Sequence, residues 1–366
     1  MHELVRRAAG IVPVLRAHAD WGDRHRRLHE ESLEAMADAG VLRMRVAAEH
    51  GGAEADLATV VRVIAELARG DGSAAWTAAV WTVSAWVAGR FPEAVRQEVF
   101  AKPDVRITGI LSTTATATPV PGGVLVNGRW AFTTGAQHSD WTVVAAVRTT
   151  GRPVVLAVPT ADLTVLDDWH TPGLRATGSA TTVADGVFVP PERVLDLAPL
   201  LDGDHTAPGP MFRAPYAAAA CATVGAPAAG LARGAVQAHP DAPRAREAAV
   251  LADEAEFHVH RAADAVDRTS STTRPWTPED RTRVRRDLGE ACLRAKDAAD
   301  VLGTGDEVLH RVRRDVHALN LHAVLHPHAS LERYGEVLQN GACPPPPRGG
   351  GRRSGGADAV RGSATP

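Results

Sequence analysis

The chain has 366 residues, enough for two or three packed units around a sizeable core. Its 45% apolar and 23% charged residues are those of a globular protein, not of a disordered one. The 40 basic and 43 acidic side chains leave a formal charge of −3, so a dominant nucleic-acid surface, which would show as a basic excess, is excluded. Lys102 and Lys296 are the only lysines, and the abundant arginine reads as a coding bias before any phosphate-binding role. Cys221, Cys292 and Cys343 are odd in number and far apart, which supports neither a disulfide framework nor a cysteine zinc site. The charged, amphipathic start lacks the apolar run of a signal peptide, and no stretch approaches a membrane span; the expected location is the cytoplasm, with no membrane partner.

Residues 1–104 read as helix. Leu33, Met36 and Ala37 make a stripe that stops at Gly40, and Leu57, Val60, Val61, Ile64 and Leu67 repeat at helical spacing. Asp71 or Ser73 caps the next helix, which carries Trp76, Val80, Trp81 and Val87. Pro92 suits the first turn of another short one. From 105 to 200 the period changes. Segments 106–111, 123–133, 141–148, 153–159, 163–169 and 179–189 are short, β-branched and bounded by turn residues, with Asn127-Gly128 as a hairpin dipeptide. Some six short strands predict a small antiparallel barrel or sandwich.

From 201 to 338 the helical period returns, with helices expected near 211–237, 243–268, 278–301 and 306–338, which together read as a bundle. Thr277-Pro278-Glu279-Asp280 is a strong helix start. From 339 to 366 the four consecutive prolines Pro344–Pro347 and Gly-Arg-Ser runs predict a disordered tail, in which four arginines face one aspartate.

Nucleotide signatures are absent: there is no GxxxxGK[ST], and Gly303-Thr304-Gly305 lacks both a third glycine and a preceding strand. No G-x-S-x-G elbow occurs. Histidines gather late in the chain, and His322 and His326 are spaced as ligands on one helix face, but no HExxH accompanies them and no metal is expected. His258 and His260 point to different faces and carry no expected role. Four segments concentrate small, hydroxyl and aromatic residues: Asp71–Trp76, Trp130–Trp141, Trp169 with Gly173–Ser179, and Arg314–His322. Each alone has a structural reading as cap, hairpin, barrel corner or salt-bridged helix.

Taken together with Gly51-Gly52 and Val187-Phe188-Val189-Pro190, and in this order from about residue 5 to 338, these segments resemble the acyl-CoA dehydrogenase fold and, within it, the two-component flavin-dependent monooxygenases. That group includes p-hydroxyphenylacetate hydroxylase oxygenase components, actinomycete aromatic-polyketide hydroxylases and amino-sugar N-oxygenases. The resemblance implies an N-terminal helical domain, a middle β-barrel and a C-terminal four-helix bundle. It implies reduced FMN or FAD supplied by a separate NAD(P)H:flavin reductase, with O2 as co-substrate. It implies chemistry through a C4a-hydroperoxyflavin that would deliver one oxygen atom to a small, aromatic or phenolic natural-product intermediate. It further implies a homodimer or homotetramer.

Residue by residue, Thr134 matches the hydroxyl beside the flavin ring and His322 the late histidine near flavin and substrate, the two catalytic candidates. Trp130 and Thr133 would flank the ring, Ser112 and Thr114 its edge, and Arg233 a flavin phosphate across a subunit interface. Ser73, Trp76 and His138 would face the substrate, with Arg175 and Ser179 in the loop that closes over it. Two departures stand out. The first barrel loop reads Thr113-Thr114-Ala115-Thr116-Ala117 where the family has Pro-x-Gly-x-Ala, and the stretch between Ala299 and Arg314 is short. Rival readings are an amine or amino-sugar N-oxygenase, an acyl-CoA dehydrogenase with Glu332 or Glu336 as its base, and a cofactor-free descendant of the fold.

Overall fold

The structure is a computed structural model; it describes residues 3–207 and 209–340. The first part holds five helices: α1 (Glu3–His25), α2 (Glu30–Asp38), α3 (Leu57–Ala68), α4 (Gly72–Ala88) and α5 (Glu93–Val99). Asp56 caps α3 by accepting the Thr59 N–H, and Asp71 caps α4 by accepting that of Ser73. α4 is buried on nearly every side, which fits its lack of charged residues.

Eight strands follow: β1 (Ile107–Ile110), β2 (Ala115–Val120), β3 (Gly123–Trp130), β4 (Trp141–Arg148), β5 (Pro153–Pro159), β6 (Thr164–Val165), β7 (Thr182–Val189) and β8 (Val194–Asp196). They form one sheet in the order β6-β7-β3-β2-β4-β5-β8, with β1 beside β4. The sheet departs from the antiparallel expectation in two places, since β1 and β2 both run parallel to β4. β2 was hidden in the sequence because Ala-Thr-Ala-Thr-Pro-Val has no large apolar residue; only Ala115 and Ala117 turn inward. The segment 163–169 shrinks to the two residues of β6.

β4 and β5 are apolar throughout because both faces are covered. Val143, Ala145, Val155 and Ala157 join the helical core, while Val144, Ala146, Val154, Leu156 and Val158 pack with Trp130 and Val126 in a second core on the other face of the sheet.

The last part holds α6 (Leu197–Asp202), α7 (Tyr216–Ala238), α8 (Ala245–Ser270), α9 (Pro278–Leu302), α10 (Glu307–Asn320) and α11 (Pro327–Asn340). α9 opens with a full capping box of Thr277 and Asp280. The span 306–338, expected as one helix, breaks into α10 and α11. The side-chain amide of Asn320 donates to the carbonyls of Cys292 and Val316 at the break, and Pro327 disfavours helix at His326 while suiting the start of α11. Gln339 and Asn340 complete α11, and the rest of the expected tail lies outside the described residues.

α7 packs against α3 through small residues. A methyl group on Gly230 would stand 2.1 Å from the Ala65 carbonyl oxygen. Gly230→Ala is therefore expected to push α7 off α3 and cost about 1–3 kcal/mol, read as a lower denaturant midpoint at unchanged slope.

Candidate functional site

Four separate segments converge on the first turns of α4. Trp76, one turn in, is buried and donates its indole N–H to Thr134 Oγ1 at 3.1 Å. The edge of the same indole meets the His322 ring at 5.0 Å between centroids. Thr134 lies in the loop after β3, held there because Thr108 Oγ1 donates to its carbonyl at 2.5 Å. Its hydroxyl is 2.9 Å from Ser179 Oγ, which is 2.8 Å from Thr177 Oγ1. Ser73, buried at the start of α4, takes its place beside them through its backbone: its N–H goes to Asp71 and its carbonyl accepts from Thr77. The structure thus brings Thr134, Trp76, Ser179 and His322 together around one indole.

His322 sits in the turn between α10 and α11, where the helix break puts it. Its Nδ1 is buried and has no hydrogen-bond partner among the described residues. Burial, with the nearby charge of Arg285, lowers its pKa to about 4. The imidazole is therefore neutral across the physiological range and offers an unengaged ring nitrogen. Seven residues earlier, buried Asp315 accepts the Leu174 N–H at 2.6 Å. Its burial beside Asp71 and Asp23 raises its pKa to about 7. Gly173 packs on the Arg314 carbonyl and Gly72 against the Asp315 carboxyl, each with no room for a Cβ. Arg314 donates to the Pro172 carbonyl and Arg26 pairs with Asp167, so the 167–181 loop that carries Ser179 is tied to both α10 and α1.

The remaining sequence candidates stand elsewhere. Trp130 is fully buried in the barrel core, with its N–H on the Ala145 carbonyl at 2.8 Å, and flanks nothing in the cluster. Thr133, next to Thr134, is spent on the Trp130 carbonyl and Thr182. Thr114 donates to the Arg129 carbonyl at 2.6 Å, and Ser112 is part-exposed on the same loop. His138 faces the charges of Glu30, Arg106 and Arg27, and burial lowers its pKa to about 4. Arg175 donates to the carbonyls of Asp23 and Thr171 and so straps the loop. Arg233 pairs with Glu256 of α8 beside a cavity of about 200 Å³ between α3, α7 and α8. His322 and His326 share no helix face, because α10 has ended before them.

One residue was missed. Phe132 is 66% exposed, holds a left-handed φ of +67° and meets Trp169 edge-on at 6.0 Å. Strand alternation would put it on the same side as Trp130; the positive φ turns it out of the barrel, a reversal no apolar pattern signals.

Comparison with known proteins extends this picture. Residues 5–100 match the family model described as acyl-CoA dehydrogenase, N-terminal domain. The chain is 29% identical to the flavin-dependent monooxygenase oxygenase subunit HsaA of Rhodococcus jostii, over 90% of this chain and 97% of that one. It is 32% identical to the oxygenase component of an FADH2-dependent resorcinol hydroxylase from a Rhizobium species, over 58% of this chain and 53% of that one. Among solved structures, XiaF of a Streptomyces species in complex with FADH2 and glycerol superposes with a TM-score of 0.87 at 29% identity, over 92% of this chain and 95% of that one. The helix–barrel–bundle order, the convergence of loops on α4 and this agreement along nearly the whole chain point the same way: the chain carries an acyl-CoA dehydrogenase N-terminal domain, and the relatives it matches over nearly its full length are flavin-dependent monooxygenase oxygenase subunits.

Proposed function

We propose that this oxygenase hydroxylates a small aromatic, phenol-type molecule, using reduced FMN or FAD delivered by a separate NAD(P)H:flavin reductase. The observation that carries the reading is the buried, neutral and unpaired His322 packed on Trp76, beside the Thr134 and Ser179 hydroxyls. The resorcinol hydroxylase relative acts on a phenol, and a neutral imidazole is the group that holds or removes a phenolic proton. An acyl-CoA dehydrogenase needs a carboxylate base at the flavin, and both Glu332 and Glu336 are exposed on α11. Buried Asp71 and Asp315 are engaged by backbone N–H groups.

The residues fit a flavin. An aromatic face stands open at Phe132, Thr134 keeps an unengaged lone pair, and the His322 Nδ1 lacks a partner. Reduced flavin, when bound, supplies the activation of dioxygen. The chain's own work is to cover the ring with Phe132, to hold its polar edge at Thr134, and to keep water from the reacting centre with Trp76. His322 then positions the substrate hydroxyl.

Phe132 carries backbone strain that glycine would release. Phe132→Gly is expected to raise stability by up to about 1 kcal/mol while weakening flavin binding, a divergence that a thermal melt paired with a flavin titration would display.

The cytoplasm is the inferred location. Among the described residues no helix is long and apolar enough to cross a membrane. A homodimer or homotetramer is inferred as well: Val250 and Phe257, seven residues apart on α8, expose apolar side chains that a second copy would cover. The test of function is incubation with chemically reduced FMN or FAD, isotopically labelled dioxygen and a panel of phenols. One labelled oxygen in a hydroxylated product is expected; no binding of reduced flavin and no labelled product would refute the reading.

A further inference from the structure

We propose that the hairpin joining α8 to α9 binds a phosphoryl group, as inorganic phosphate or a small phosphate monoester, through Arg268, Arg283 and the indole N–H of Trp276. The proposal does not depend on the monooxygenase reading, and none of the residues concerned belongs to the cluster around Trp76.

The hairpin encloses a cavity of about 260 Å³. Arg268 and Thr269 line it from the last turn of α8, Arg274 and Trp276 from the connecting loop, and Asp280 and Arg283 from the first turns of α9. Three guanidinium groups therefore stand around it against one carboxylate.

Pairing donors with acceptors shows which of these groups a ligand can use. The carboxylate is spent. Its two oxygens accept from Arg274 at 2.6 and 3.1 Å, and one of them also accepts the Thr277 N–H and hydroxyl. The carbonyls that end α8 are spent as well. That of Asp267 takes the Ser271 N–H and hydroxyl, that of Thr269 takes the Thr272 N–H and hydroxyl, and that of Ser270 takes the Arg213 guanidinium at 3.3 Å.

Donors, by contrast, are left over. Trp276 is only 8% exposed, yet its Nε1–H meets no acceptor among the described residues. Arg268 makes no ion pair or side-chain hydrogen bond with any described residue. Arg283 spends part of its fork on Glu279 and Tyr334 and keeps its other N–H groups. A buried N–H without an acceptor is costly, and the unpaired guanidinium beside it asks for negative charge. The ligand that answers both is an anion with several acceptor oxygens. The donors come from two helices and a loop, not from one plane. A tetrahedral phosphoryl group turns an oxygen toward each of them, whereas a carboxylate offers two oxygens in a single plane. The volume also leaves room for a few carbons, which admits a small ester.

The test is a titration of the full chain, labelled at tryptophan, with inorganic phosphate at constant ionic strength, following the indole N–H resonances. The Trp276 signal, identified by its loss in Trp276→Phe, is expected to shift and saturate while the other tryptophans stay put. Calorimetry then gives the dissociation constants. Arg268→Gln is expected to weaken phosphate about tenfold, the worth of one charge-assisted hydrogen bond. Because Arg268 has no partner within the fold, its variant should melt with the wild type in the absence of phosphate. Trp276→Phe keeps the packed ring, removes the N–H and should weaken phosphate as well. Arg152→Gln removes the same charge from an exposed turn of the barrel and should bind phosphate like the wild type. Glycerol 3-phosphate that binds at least as tightly as phosphate supports the ester as the ligand; its rejection supports inorganic phosphate. No saturable shift of the Trp276 signal, or the same shift with chloride, overturns the proposal. So does acetate that binds as tightly as phosphate, or an Arg152→Gln loss as large as that of Arg268→Gln.

Discussion

His322→Ala is expected to cut hydroxylated product by roughly 10²–10⁴-fold, the range for losing a positioned proton-handling group. Reduced-flavin binding should survive within a few-fold, because the ring at His322 packs on Trp76 and bonds no other described residue through Nδ1. The signature is therefore uncoupling: reduced flavin is still consumed by oxygen, but hydrogen peroxide leaves in place of product. A thermal melt and an anaerobic reduced-flavin titration of the same variant separate this from a folding defect, because free reduced flavin also gives peroxide in air. The pH dependence gives a second reading. With its pKa lowered to about 4, the imidazole stays neutral well below the pH at which an ordinary histidine charges. Product yield should hardly fall between pH 7 and pH 5.5, where an exposed histidine would have lost most of its base form. A steep loss centred near pH 6.5 would show that His322 is solvated and is not the group described here.

Much of this was legible in the sequence, for identifiable reasons. The helix–barrel–helix order follows from hydrophobic period, and the capping signals at Asp71 and Thr277 are local chemistry that tertiary packing did not override. Thr134 and His322 were placed by resemblance, not by period. The structure adds the Trp76 indole that touches both, a contact between residues 58 and 246 positions apart that no local pattern encodes. β2 was missed because alanine and threonine carry little hydrophobic signal, although the strand's inward methyls fill the barrel as well as larger groups would elsewhere. The break at Asn320 was masked by continuous helical period on both sides; His326-Pro327 was the available warning. Trp130 drew attention because it is large, yet its size is what the barrel interior needs. Phe132 escaped because a left-handed backbone, not a side-chain pattern, turns it outward.

Asp315 is where the stability of the molecule and the geometry of the site meet. Asp315→Ala leaves the buried Leu174 N–H without an acceptor and is expected to cost about 2–3 kcal/mol. It also loosens the loop that carries Ser179, so KM for the aromatic substrate should rise more than kcat falls. Asp315→Asn separates the two roles of the carboxyl. Its amide oxygen still accepts the Leu174 N–H, but the group no longer titrates. In the wild type the carboxyl pKa is raised from 3.8 to about 7, so its stabilising effect is fully present below pH 3.8 and is lost as pH rises through 7. The depressed His322 and His138 act with the opposite slope. Their contribution is present above the ordinary histidine pKa of 6.5 and is lost as pH falls toward 4. Between about pH 4 and 6.5 the one carboxyl cancels part of the slope of the two histidines, so the wild type climbs more gently than the histidines alone would make it, and it levels off above about pH 7. With the carboxyl neutralised, only the histidine slope is left. The denaturant midpoint of Asp315→Asn should climb from pH 4.5 to 6.5 and then stay level to pH 8.5, overtaking the wild type on the alkaline side. The gap there is on the order of 1–3 kcal/mol, from a pKa displacement of this size at about 1.4 kcal/mol per unit and partial relaxation of the buried charge. Parallel profiles for the two proteins would mean that the carboxyl is already ionised at neutral pH, with Leu174 and the first turn of α4 holding the charge.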